Sequence, residues 1–562
     1  MAASYVIGVD VGTGSVRAAL VDCLNGQIER IAHAPIDTFN PATDLFHQSS
    51  SNIWQACSTV VKEVTGSVDK DSVKGIAFDA TCSLVVLDRQ GQPLSVSPHG
   101  DPEQNVILWL DHRASDEVNL INKTEHKLLS FVGGKMSVEM QLPKLLWLKN
   151  NLRENCWDKA GYFFDLADFL TWKATGSNTR SICTVTCKWA FDAVSNTWDK
   201  SFMETIGLDD LLKEDCTKIG SAMQPPGTAC GQGLTEAAAS DLGLSVGTCV
   251  ATSIIDAHAG VLGMASATES HPAGGDSVAP VLSLESRLSL ICGTSTCLMA
   301  VSERRVFVAG VWGPYPGSVL GLPAHTWLLE GGHSATGKLL DHIVATHPAT
   351  SHIRHTIGAN VHITDYLNEL LNKLAESRKL ESFEFLTTDL HVWPDFHGNR
   401  SPLADPTLRG MMSGLSLSTT EEDLALRYLA VIQSLAYSTK QIIASMESAG
   451  HTRIATVLAC GGLAQNSLYV QVLANVLSST GANSPCQLLV PVQQNAMLVG
   501  CAILAASATR YWPSVQHAMQ AMAPVAKRVE PQANTYKYHS KKYKVFLQMV
   551  EDQKKYKSIM ES

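Results

Sequence analysis

No apolar run in these 562 residues approaches the roughly 20 positions that a membrane span requires, so none is expected to cross a bilayer. The opening Met-Ala-Ala-Ser-Tyr carries no basic stretch and no apolar segment behind it, so a cytoplasmic location is expected. Basic residues are in deficit, 43 Lys and Arg against 53 Asp and Glu. The resulting formal charge of −10 argues against a nucleic-acid surface. A lysine cluster at 537, 541, 542, 544, 554, 555 and 557 does not alter this. Tyr536, Tyr538, Tyr543, Phe546, Val550 and Tyr556 interleave with it, which predicts a C-terminal helix with one apolar stripe and a lysine-rich solvated face. The 14 cysteines lack the paired spacing of a metal site. Cys183 and Cys187, or Cys292 and Cys297, read as reduced, buried small residues.

What is present is most informative at the start. Tyr5 to Val11 and Val16 to Val21 are β-branched, apolar runs flanking a turn that contains Gly12 and Gly14. Both glycines can take φ > 0 and turn backbone N–H groups outward, so the segment reads either as an ordinary hairpin or as a hairpin built to hold a phosphate. It is not the lysine-bearing phosphate loop, because no helix follows and no Lys is present. Asp10 at the strand end offers a carboxylate to a hydrated Mg²⁺ instead. The same device returns later: Arg287 to Cys292 runs into Gly293-Thr294-Ser295-Thr296, and Leu298 to Val301 with Val306 to Val311 are expected to complete a meander. Val457 to Cys460 reads as a buried strand ending at Gly461-Gly462, with a helix from Ser467. Two such hairpins across a cleft can clamp one polyphosphate.

The order Gly-Val-Asp-Val-Gly-Thr-Gly-Ser-x-Arg, Leu-Pro-Lys-Leu-Leu-Trp at 142–147, Asp256-Ala-His-Ala-Gly, Cys-Gly-Thr-Ser-Thr and Gly-Gly-x-x-x-Asn resembles the FGGY carbohydrate kinases over essentially the whole chain. Thr81-Cys82-Ser83-Leu84-Val85, Thr186-Cys187-Lys188-Trp189, Trp327 to Gly332 and His391 to Pro402 are similar to the ribulokinase branch. The resemblance implies an α/β, two-domain, actin-like ATPase and sugar-kinase (ribonuclease H-like) fold with mixed sheets flanked by helices. It also implies ATP and Mg²⁺ as cofactors and a small sugar as the other substrate. It leaves room for a homodimer.

The alternation of strands (Gly75 to Phe78, Leu84 to Leu87, Val106 to Trp109) with helices (Asn52 to Thr65, Leu142 to Asn151) agrees with an α/β class, and the length suggests two large domains. The expected division is an N-terminal domain over 1–262, a Gly/Pro/Ser-rich loop over 263–286, a C-terminal domain over 287–510 and a helical tail over 511–562. A mostly helical insertion is expected at 346–384, and helices at 421–449 and 493–506.

Transfer of a phosphoryl group to an alcohol needs a carboxylate to take the hydroxyl proton, and Asp256 is the candidate base. It follows the apolar run Val250 to Ile255 and opens a helix whose free N–H groups should keep it ionised, although any Asp there could simply cap that helix. By resemblance, Gly12, Thr13, Gly14, Ser15 and Arg17, with Gly293, Thr294 and Ser295, would grip the phosphates. Gly461, Gly462 and Asn466 would hold the adenosine, and Asp10 the Mg²⁺ through water. Lys188, on a strand-like 185–190 segment, and Glu330 would bind sugar hydroxyls and carbonyl, with Thr81, Cys82, Ser83 and Asp256 completing the wall. Arg113 near Trp109 and Asp111 reads equally as a sugar contact or as an ion-pair partner of Asp111. The expected reaction is phosphorylation of a ketopentose at its terminal hydroxyl, D-ribulose to D-ribulose 5-phosphate. L-Ribulose, xylulose and ribitol stay open, as does a catalytically weak sugar- or nucleotide-binding regulator, because Asn495 stands where these kinases usually carry an acidic residue.

Overall fold

A computed structural model of the chain describes residues 4–97, 100–269, 283–358, 361–479, 486–493 and 495–561. Most of the expected loop over 263–286 lies outside them.

The β-branched runs form two sheets of the same topology. In the first, β1 (Tyr5–Val11), β2 (Ser15–Asp22) and β3 (Ile28–Pro35) form an antiparallel meander, and β4 (Val73–Ala80) lies parallel to β1. The short β5 (Cys249–Val250) and β6 (Ile254–Ile255) both pair with β4, giving the order β5-β4-β1-β2-β3. The second sheet contains β7 (Arg287–Cys292), β8 (Thr296–Ser302), β9 (Trp312–Pro316), β10 (Trp327–His333), β11 (Thr456–Cys460), β12 (Gln487–Pro491) and β13 (Ala526–Val529), ordered β9-β10-β8-β7-β11-β12-β13. Its inner five, β12-β11-β7-β8-β10, repeat the first sheet. The third meander strand is therefore β10; Val306 to Val311, expected to be that strand, is an irregular stretch whose Val306, Val308 and Val311 bury their side chains without joining the ladder.

The two sheets are joined through helices that cross between them. In chain order the helices used below are α1 (Ile182–Trp189), α2 (Asp256–Met264), α3 (Glu421–Ser448), α4 (Ala496–Ala508) and α5 (Tyr536–Glu561). Helix α4 follows the second sheet's β12 yet packs on β1 and β4 of the first, where Cys501 Sγ donates to Val9 O at 3.6 Å. It is apolar almost all round, as a helix buried on every side must be. Two glycines let α2 and α4 approach this closely: a Cβ on Gly263 would lie 1.9 Å from Ala496 O, and one on Gly500 1.9 Å from Ala259 O. Gly500→Ala should therefore force the helices apart and cost about 1–3 kcal/mol or more of stability, read as a lower urea midpoint. An unchanged midpoint would mean that the crossing yields easily.

At the C-terminus, α5 buries Phe546, Met549 and Val550 against α3 and its neighbours. Lys542, expected on the solvated face, is buried and donates to the carbonyls of Thr387 (2.7 Å) and Leu390 (2.6 Å), while Tyr556, expected in the stripe, is exposed. Side-chain length decides this: an ammonium on four methylenes can reach carbonyls from a packed face, whereas Tyr556 lies beyond the last packed turn.

Candidate active site

The two hairpin turns sit at corresponding ends of the two sheets. In the β1–β2 turn, the Gly12 N–H is directed back to Ser15 O (3.0 Å), and neither Gly12 nor Gly14 lies in the left-handed region, contrary to expectation. The turn is fixed from outside instead: Gln48 donates to Thr13 O at 2.7 Å, and Trp109 Nε1 to Thr13 Oγ1 at 3.0 Å. The glycines matter for room. A Cβ on Gly14 would meet nothing within 4 Å, so its surface is bare backbone. The β7–β8 turn is built alike, with Gly293 N–H on Ser295 O (2.8 Å). The carbonyls of Gly293 and Thr294 accept from Gly337 and Thr336 at the start of a helix over Gly337–Thr346, and the glycine and threonine face outward. Beside it, Gly461 has φ +95° and a Cβ there would lie 2.4 Å from Cys292 O, so both backbone and space require glycine, whereas Gly462 is exposed with nothing within 4 Å. Asn466 has a local duty: its carboxamide caps the following helix through Leu468 and Tyr469 N–H and donates to Tyr428.

Below the first turn one guanidinium, Arg17, pairs with Asp10 and feels the charges of Asp79 and Asp256. Asp10 is buried and its Oδ2 accepts from Arg17 Nε at 2.9 Å and from Arg17 Nη2, so Arg17 is committed to Asp10 rather than free for phosphate. Asp79, paired with Asp10 across β4 and β1, is fully enclosed. Burial first, and then Asp10, push its carboxyl well above the usual range, and Cys501 Sγ donates to it at 3.1 Å. Asp256, half-buried, opens α2, with Oδ1 accepting from Ala257 N–H at 2.7 Å, which fixes its rotamer. The helix start does not keep it fully acidic. Burial and then the Asp10 charge push Asp256 up to about 6.

The remaining pole lies between the sheets. Lys188 is on α1, not on a strand. Ser181 caps the helix by accepting from Cys183 N–H, Thr184 Oγ1 donates to Asp168 at 2.6 Å, and Ala190 ends it at φ +56°, so buried hydrogen bonds override the β-branched preference of Thr184, Val185 and Thr186. Lys188 Nζ lies 3.5 Å from Glu330 Oε1 and 4.2 Å from the centre of the Trp312 ring. Arg400, which sequence reasoning quoted in a motif but gave no role, donates to the same Glu330 oxygen at 2.6 Å and stacks 4.1 Å from the same ring. It also faces Glu139 at 3.9 Å. Burial alone would raise the Glu330 carboxyl, but Lys188 and Arg400 hold it below the ordinary range.

Nearby, Thr81 and Cys82 are almost enclosed, and Ser83, fully buried, pairs its hydroxyl with Thr81 (3.2 Å). Lys144 of the Leu-Pro-Lys motif is buried and donates to Leu108 O at 2.7 Å, which supports the segment carrying Trp109. Arg113 forms a two-pronged pair with Asp111 at 2.8 and 2.7 Å and also donates to Val96 O, so the ion-pair reading holds for it. Arg400→Gln should raise the KM for sugar by about tenfold or more with a smaller effect on kcat, because a charge-assisted contact is worth about 1.5–3 kcal/mol. Steady-state kinetics check this, and an unchanged KM would remove Arg400 from the site.

Residues 5–263 match the N-terminal domain of the FGGY family of carbohydrate kinases, and residues 288–509 match its C-terminal domain. The FGGY carbohydrate kinase domain-containing protein of Homo sapiens is 50% identical over 557 residues, covering 99% of this chain and 98% of the relative. A D-ribulokinase of Saccharomyces cerevisiae is 39% identical over 90% of this chain and 72% of its own length. Among solved structures, xylulose kinase from Rhodospirillum rubrum shares the fold at a TM-score of 0.74 with 18% identity, over 98% and 99% of the two chains. The chain belongs to the FGGY family of carbohydrate kinases.

Proposed function

We propose that the protein transfers the γ-phosphoryl group of ATP to the terminal hydroxyl of a ketopentose, with D-ribulose as substrate and D-ribulose 5-phosphate as product. The observation that carries this reading is that Asp256 feels both the Asp10 carboxylate, assigned to the nucleotide side, and the Lys188 and Glu330 charges, assigned to the sugar side. The yeast D-ribulokinase likeness supports the choice of sugar.

Asp256 takes the proton of the attacking hydroxyl. The hydroxyl oxygen forms the new bond to the γ-phosphorus as the bond to the β-phosphate bridge breaks, and ADP leaves with that electron pair. Glu330 accepts hydrogen bonds from sugar hydroxyls, and Lys188 donates to the carbonyl or a hydroxyl. Thr81 and Cys82 shape the facing wall, and Ser83 orients Thr81. The exposed turns around Gly12 to Ser15 and Gly293 to Ser295 contact the phosphates from opposite lobes, and bare Gly461-Gly462 lies against the adenosine. Asp10 and Asp256, with the single cation Arg17 and its pair to Asp10, leave net negative charge and carboxylate oxygens on this side of the site, which suits a hydrated hard divalent ion. Asp10 would hold Mg²⁺ through water, where it neutralises phosphate charge. With the ends of the site on different lobes, closure over both substrates excludes water that would otherwise accept the phosphoryl group.

The test is a screen of free pentuloses and pentitols at fixed Mg·ATP, read as kcat/KM. D-Ribulose should rank first. A higher value for L-ribulose, xylulose or ribitol would reassign the substrate within the same chemistry.

A further inference from the structure

Behind Glu330 lies a group of soft ligands that the phosphoryl-transfer chemistry does not use. Cys183 and Cys187 are one turn apart on α1, and His258 is on α2. All three are fully buried, and one ligand atom from each lies within 4.8 Å of the others. Cys187 Sγ and His258 Nε2 are 3.6 Å apart. Two ligands sharing a tetrahedral zinc, with Zn–S about 2.3 Å and Zn–N about 2.0–2.1 Å, stand about 3.6 Å apart. The nearest further donor is Glu330 Oε2, which is buried, has no hydrogen-bond partner and lies 3.8 Å from His258 Nε2 but outside the 4.8 Å group of the other three, while Oε1 receives Lys188 and Arg400.

We propose that Cys183, Cys187 and His258 bind a thiophilic divalent ion, Zn²⁺, that Glu330 turns its Oε2 onto the ion as the fourth ligand, and that this withdraws Glu330 from the sugar and inhibits the kinase. The inhibition rests on the placement of Glu330 in the sugar site; the metal site does not. Two thiolates and a carboxylate around Zn²⁺ carry one net negative charge, which Lys188 and Arg400 face. On binding, each thiol gives its proton to solvent and its sulfur lone pair to the metal, with no redox change. Glu330 is on the second sheet and the other three ligands are on the first half of the chain, so the metal would also tie the lobes together.

The experiment uses the full chain freed of metal by a chelator, with Co²⁺ as the spectroscopic probe and Zn²⁺ as the inhibitor. One Co²⁺ per chain should give thiolate-to-metal charge transfer and the intense ligand-field bands of a tetrahedral centre. Zn²⁺ should inhibit competitively with D-ribulose and not with ATP. Cys183→Ser should roughly halve the thiolate-to-cobalt charge-transfer band, one of two thiolates being lost, and weaken Zn²⁺ inhibition at least about tenfold, the lower end for loss of even an outer-shell partner, with metal-free turnover retained. Cys187→Ser serves the same end should Cys183→Ser fail to fold. A sugar-active wild-type protein that gives no thiolate–cobalt band, or Zn²⁺ inhibition undiminished in a folded cysteine variant, overturns the site. A band accompanied by inhibition that D-ribulose does not relieve overturns the shared use of Glu330. Failure of every sugar to support turnover would strike the kinase substrate reading and leave the band intact.

Discussion

Asp256→Asn is expected to lower kcat by at least about a hundredfold while leaving thermal unfolding and nucleotide binding close to wild type. The amide keeps the shape and can still meet Ala257 N–H, so α2 keeps its start. It cannot accept the hydroxyl proton, and a positioned general base is worth about 10²–10⁴. The pH dependence should identify the same group. With Asp256 raised to about 6, the base is ionised above that pH and protonated below it, so wild-type kcat/KM should rise about tenfold per unit on the acid side and level off above about pH 6. The asparagine variant should lose this limb. Near-normal turnover in Asp256→Asn would leave Asp256 only the helix start.

The second large effect is expected at Asp10. Asp10→Asn should raise the Mg²⁺ concentration needed for half-maximal rate and lower the rate at saturation by about a hundredfold or more, because a charged ligand facing the phosphates is lost. Asp10 also raises Asp256; without its charge the residual activity should have an acid limb below about pH 6. Unchanged Mg²⁺ dependence with an unmoved limb would reduce Asp10 to a partner of Arg17.

The parts of this arrangement that were legible in the sequence are those specified locally. The apolar runs around Gly12 and Gly293, valine- and isoleucine-rich only around the first, define both hairpins, and Asp256 stands at the end of an apolar strand where a helix begins. The misread local details are those that tertiary contacts decide. Gly12 to Gly14 are held by Gln48 and Trp109, not by left-handed backbone, and the Lys188 segment is helical because Asp168 and Ser181 supply its early hydrogen bonds. Arg400, Asp79 and Lys144 gained roles only through distance. Arg400 meets Glu330 across 70 residues, and Asp79 meets Cys501 across 422, separations at which no periodicity or spacing carries a signal. Lys144 could have been suspected, since an ammonium in the apolar run Leu142 to Trp147 must find carbonyls or a counter-charge.

The kinase reaction is tested most directly by the stoichiometry of ADP to phosphorylated sugar, measured by coupled ADP detection and ³¹P spectroscopy on the same reaction with Mg·ATP and D-ribulose. One ADP per D-ribulose 5-phosphate, with little ADP formed when sugar is omitted, is the expected result. A thermal shift on adding sugar or nucleotide without any sugar phosphate, the behaviour of a binding protein on a kinase fold, would contradict it.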